Sequence, residues 1–246
     1  MTRLFAAALF ALPGLAAVPA AAQEVPTGPI DVSGGVEVVT DYRFRGISLS
    51  GGDVAVQPTI TLSHDSGLYL GAWGSTIEDT PAFGEAEVDL YGGYATEVAP
   101  GTSIDLGLTY YWYPDGKRAA GPSDYVEATG KLSHMLGPVE ATARLSYAPS
   151  QTAIGHDDSL YLAADLSAGV PTTPLTLSAS AGYTDGGLAA LAPGGHYWDW
   201  SLGASASFGR LTAGIKYVDT DIPTTGVKAV DKYFDSGVVL SLGLSF

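Results

Sequence analysis

From residue 32 onward the chain alternates apolar and polar residues with a period of two, and it does so in twelve successive segments. That period puts neighbouring side chains on opposite faces of a strand; a helix cannot satisfy it. The first segment sets Val32, Val36, Val38, Thr40, Tyr42 and Phe44 against Glu37, Asp41 and Arg43. The fourth sets Val88, Leu90 and Tyr94 against Glu85, Glu87 and Asp89, and the fifth opposes Ile104, Leu106, Leu108, Tyr110 and Trp112 to Asp105, Thr109 and Tyr111. The last reads Phe234, Val238, Leu240, Leu242, Leu244 and Phe246. Pro58 donates no ladder bond and so predicts a bulge or a strand boundary in the second segment. Alternation alone leaves two folds open. The apolar face meets either a water-free core or lipid.

The connections favour lipid. Short ones near 65, 136 and 209, with somewhat longer ones at 96 and 170, alternate with long ones at about 45–53, 77–84, 113–123, 148–158, 184–196 and 220–233. Short periplasmic turns and long surface loops produce that rhythm in an outer-membrane barrel with both termini inside. Aromatics on the apolar face cluster at the long-loop end: Tyr42, Phe44, Tyr110, Trp112, Tyr147, Tyr183, Trp198, Trp200, Tyr217 and Phe234. Such rings suit a headgroup-level girdle. Arg3 and the apolar run after it, ending in small residues at Ala20 and Ala22, read as a signal peptide spanning 1–22. Residues 23–30 are then a short periplasmic segment and 31–246 the barrel. No later stretch is long and apolar enough for a spanning helix, so closure into a ring is the route left for crossing a membrane. The expected fold is all-β: an up-and-down transmembrane barrel of twelve antiparallel strands.

Composition narrows function further. The formal charge is −15, which removing Arg3 makes more negative, so nucleic acid is not an expected partner. There is no cysteine. On inward positions the acids Glu37, Asp41, Glu85, Glu87, Asp89, Asp105, Glu127, Glu140, Asp165 and Asp199 outnumber Arg43, Lys131, Arg144 and Lys216. Glu85, Glu87 and Asp89 form a charge ladder that bases, cations or water must compensate. The excess predicts a weak cation preference in a conducting lumen. Tyr69, Trp73, Tyr91, Tyr111, Tyr113, Tyr125 and Tyr161 also point inward, chiefly to fill space. Catalysis has little support: His64 and His134 lie near short turns, His156 and His196 in long loops, and Ser133 points away from His134. Asp157 and Asp158 beside His156, or Asp219, Asp221 and Asp231, offer oxygen ligands without the spacing of a calcium loop. No cofactor or metal site is expected.

"VTDYRFRGIS", then "QPTITLSHDSGLYLGAWGS", "EVDLYGGYA", "YYWYP" and "AGIKYVDTDI", resembles the proteobacterial TorF family of outer-membrane porins. The likeness spans roughly 31 to 246. Its most specific pieces are Asp41 to Gly46 and the turn from His64 to Gly67; "GLAALAPGGH" at 187 and "PTTGVKAVDK" at 223 are unusual for that family. The resemblance implies a barrel in the outer membrane and a role in passing solutes. It carries no catalytic or ligand residue. Phe246, an aromatic ending an alternating strand, resembles the signal read by the outer-membrane assembly machinery. The expected partners are therefore that machinery, outer-membrane lipid and lipopolysaccharide, and a small polar solute. A structural barrel with a blocked lumen is the main alternative, and a barrel-borne hydrolase a distant one.

Overall fold

In the computed structural model, residues 29–246 are described. The expected signal peptide and nearly all of the 23–30 segment lie outside them. The ring begins with β1 (Ile30–Val39). An excursion follows that carries two tiny strands, β2 (Arg43–Phe44) and β3 (Ile47–Ser48). The ring then continues through β4 (Ala55–His64), β5 (Leu68–Thr80), β6 (Gly84–Ala99), β7 (Thr102–Trp112) and β8 (Tyr125–Leu136). It is completed by β9 (Val139–Gln151), β10 (Asp157–Gly169), β11 (Leu175–Gly186), β12 (His196–Phe208), β13 (Leu211–Thr220) and β14 (Gly237–Ser245). β1 and β4 to β14 pair as consecutive antiparallel neighbours, and β1 pairs β14 to close the barrel. Closure leaves no edge with unpaired backbone groups, which hydrocarbon would not tolerate.

The exterior carries the alternating apolar face. Leu68, Leu70, Leu106, Leu108, Leu202 and Ile215 are each more than half exposed on the barrel wall. In water that surface would drive aggregation; around a closed ring it forms the lipid-facing band. Tyr110, Trp112, Tyr147, Trp198 and Tyr217 remain exposed at the long-loop end, with Tyr94, Phe208 and Phe246 at the other. Pro58 causes no bulge. Its pairing with Val36 is in register, and the β4–β5 ladder simply stops at Thr59 and Trp73. Nor does the strand end there: β4 runs through Pro58 to Ala55 along β1.

Two expected long loops are shorter than the pattern suggests. β5 and β6 run on to a tight turn after Thr80, and β9 and β10 continue to Gln151 and Asp157. Backbone pairing needs no apolar residues, so ladders extend beyond the point where the hydrophobic pattern stops. The seam is the opposite case. β1 and β14 are registered only from Gly35–Ser245 to Val39–Ser241, with Gly34 and Phe246 exchanging two further backbone bonds of 3.2 and 2.9 Å. A Cβ on Gly34 would collide with the Phe246 ring.

Candidate functional site

The largest departure from the sequence pattern lies just after β1. Tyr42 and Phe44, expected in the lipid girdle, are 2% and 9% exposed and lie inside the barrel. The strand ends at Val39, and the chain turns inward. Arg45 and Gly46, expected to open a surface loop, instead form the two-residue turn of the β2–β3 hairpin, with φ of 49° and 83°. Two left-handed residues in a row are the geometry of a type I′ turn. Glycine is required at the second because a Cβ would strike Thr220 and Asp199. Phe234 moves too: it is 3% exposed, packed with Tyr197, Ile222, Ala189 and Ala192, and Ile47 of the hairpin joins this cluster. Alternation could not separate these rings from girdle residues, because a hairpin in a lumen buries both of its faces.

The hairpin is held from both sides. Tyr42 packs on Trp73 at 5.2 Å between ring centroids, and Phe44 meets Tyr111 edge-on at 5.9 Å. Tyr111 in turn stacks on Tyr125 at 4.4 Å. Arg45 reaches Glu127 at 2.5 Å and lies over the Tyr161 ring at 4.2 Å. Asp41 accepts from Arg43 at 2.5 Å and from the Ser48 hydroxyl at 2.6 Å. Arg43 also donates to the carbonyls of Gly46 and Asp235. From the long segment after β13, which contains the short helix α1 (Lys228–Asp231), the Tyr233 carbonyl accepts the Ser48 amide at 2.7 Å. Lys232 bonds Glu78 at 2.6 Å. Within that segment Asp231 accepts from the Thr225 hydroxyl and from the amides of Thr225 and Gly226, and these bonds hold its carboxyl below the usual range.

The expected ladder divides at this point. Glu85 is exposed at the outer end of β6, whereas Glu87 and Asp89 are each 1% exposed, shut behind the aromatic packing. They do not form a water-washed row. Glu87 lies beside Tyr42, Tyr113 and Asp89, and among the described residues neither carboxyl meets a basic side chain in an ion pair. Lower in the lumen Asp105 accepts from Tyr69 at 2.7 Å and from Lys131 at 3.2 Å. Asp165 accepts from Arg144 at 2.7 Å and from Ser180 at 2.7 Å. Asp199 is buried beside Tyr161, and Glu140 is exposed at the short-turn end. Among the charged residues Arg45 departs furthest from its expected place, turning from a surface loop into the lumen. Its one available signal was an arginine–glycine pair between two short apolar–polar alternations, which also reads as a hairpin.

The opposite wall, on β11 to β14 and β1, is lined by Ser178, Gly203, Ser205, Gly214 and Ser241. Beside them, under the hairpin, a cavity of about 60 Å³ remains. That volume is several times the ~10–15 Å³ that a single water requires. Glu37 and Lys216 line it, with Asp41 and Arg43 as its roof. Among the described residues no group of histidine, cysteine or carboxylate side chains could hold a metal ion.

A family model described as "Bacterial protein of unknown function (Gcw_chp)" matches residues 23–246. The chain belongs to that family. No curated protein matches it. Among solved structures, the NanC porin aligns with a TM-score of 0.58 at 12% identity, covering 86% of this chain and 98% of that one. The KdgM porin aligns at 0.57 with 7% identity, covering 87% and 98%; its complex with disordered oligogalacturonate gives 0.56. At these identities the likeness is one of fold: this Gcw_chp member has the barrel of an outer-membrane porin.

Proposed function

We propose that the protein is a narrow outer-membrane channel for small polar solutes, constricted in its outer half by the 43–48 hairpin. The observation that carries this reading is the asymmetry of the lumen. One wall is packed with rings and ion pairs, while the facing wall is lined with glycine and serine and keeps a cavity with charged residues at its edge beneath the hairpin. A barrel built only as a scaffold would gain stability by filling that space. The porin fold and the resemblance to TorF porins support the same reading, with the long connections at the cell surface and both termini in the periplasm.

Weak cation preference follows from the carboxylate excess, but its source shifts. Glu87 and Asp89 are enclosed, so Glu85 at the mouth and Glu37 in the cavity are the acids a passing ion would meet. Planar-bilayer recording tests this. We expect small openings with reversal potentials favouring potassium over chloride, and a smaller preference in Glu37→Gln and Glu85→Gln. A correctly folded protein that never conducts would replace the channel with a structural or surface-interaction barrel. That second reading has its own support, since the hairpin crosses the outer lumen from Trp73 to Thr220 and is fixed at both ends.

A further inference from the structure

The charges around the cavity are unequally satisfied. Asp41 and Arg43 answer each other, and their remaining capacity goes to Ser48, Ser50 and three backbone carbonyls. Arg144 is paired with Asp165. Glu37 and Lys216 differ. The Glu37 carboxylate has the Ser241 hydroxyl as a partner, and Lys216 makes no hydrogen bond or ion pair among the described residues. The two charges sense each other electrostatically but do not touch, and both line the cavity. The Lys216 ammonium is left to the water of the cavity, which a solute can displace. The cavity therefore presents a carboxylate and an ammonium, separated by a gap, on a wall of small residues.

We propose that this cavity is a subsite for a small zwitterion of the amino-acid class, on the path of the channel proposed above and resting on that reading. The solute's carboxylate meets Lys216 and its ammonium meets Glu37. The charge pattern selects against simpler solutes. A lone cation attracted by Glu37 gains less because Lys216 opposes it, a lone anion attracted by Lys216 gains less because Glu37 opposes it, and a neutral solute leaves both charges unanswered. Ser178, Ser205 and Ser241 supply hydroxyls without taking up room, and Gly203 and Gly214 leave space where side chains would stand. With about 60 Å³ available, glycine, the smallest member of that class, is the one the cavity best suits.

Equilibrium calorimetry on the refolded barrel in detergent tests the site with glycine, acetate and methylammonium as probes. Glycine should bind at least ten-fold more tightly than either half-molecule. Glu37→Gln and Lys216→Gln should each bring glycine down to the level of the half-molecules. The charge-swapped double variant, Glu37→Lys with Lys216→Glu, should recover most of the preference with the zwitterion reversed. Folding of each variant is checked by heat-modifiable migration on gels, and only folded barrels are titrated. Glycine binding no tighter than acetate or methylammonium overturns the site, as does unchanged glycine binding in a folded single variant. Binding needs no conduction, so a barrel that prefers glycine but never conducts keeps the site and loses the channel. A barrel that conducts without that preference keeps the channel and loses the site.

Discussion

The two walls of the lumen solve the same problem in opposite ways. β5 to β8 fill the interior with Tyr69, Trp73, Tyr111 and Tyr125 and answer charge with charge, as in Lys131–Asp105 and Arg45–Glu127. β11 to β14 place serine and glycine at matching positions and leave charge beside open space. The strands are built alike outside, with leucine and isoleucine facing lipid on both. Barrel stability is therefore carried by the exterior and the backbone ladder, and the interior is free to differ from side to side. The packed wall anchors the hairpin; the open wall keeps the cavity.

The largest effect should come from the anchor. Arg45→Ala leaves Glu127 buried without its partner, which typically costs ~3–5 kcal/mol. The hairpin should leave the lumen, seen as larger single-channel openings and as protease cleavage between 40 and 54. Arg45→Met combined with Glu127→Gln should do much less, and equal openings in both would mean that the ion pair is not what seats the hairpin. Next comes the exterior. Leu106→Arg should lose ~2–4 kcal/mol in a folding titration if it sits near the bilayer midplane. Tolerance of arginine there would contradict a lipid-facing wall.

The contrast between walls can be tested within the lumen itself. A Cβ on Gly107 already crowds the Tyr69 hydroxyl, so Gly107→Leu should cost ~1–3 kcal/mol by overpacking. Ser178→Leu on the open wall should change stability by less than about 0.5 kcal/mol while reducing conductance. If the two cost the same, the walls are not differently packed. The smallest expected effect concerns the surface clamp. Asp231 has a depressed folded pKa, so its contribution is fully present above its unfolded value and is lost as pH falls through the lower folded one. The 221–236 segment should resist proteolysis as pH drops past ~3.9 and loosen only below it, whereas Asp231→Asn should remove that dependence.

Much of this fold could be read from residues alone. Leu106 and Leu108 set against Asp105 and Thr109 report a wall with lipid on one side, because the pattern records a difference in solvent that persists along the strand. The inward aromatics were legible for the same reason. Tyr42 and Phe44 were not. Their alternation continues that of β1 without a break, and only the tertiary packing against Trp73 and Tyr111 shows that the chain has left the wall. Glu87 and Asp89 misled in a related way: parity gives the direction of a side chain but says nothing about what stands in front of it. The cavity beside Glu37 and Lys216 is lined by small residues from four strands, β11 to β14, and no single segment displays it.

The seam between β1 and β14 has a consequence for assembly. Its partners lie at opposite ends of the described chain, so joining them means closing the largest loop the fold contains, the kind of contact that forms late and slowly. The hairpin is tethered to β1, on the moving side of that junction. It also bonds Tyr233 and Asp235 just ahead of β14. The hairpin's own contacts therefore bridge the same junction, and the step that joins the two ends of the chain also completes the plug.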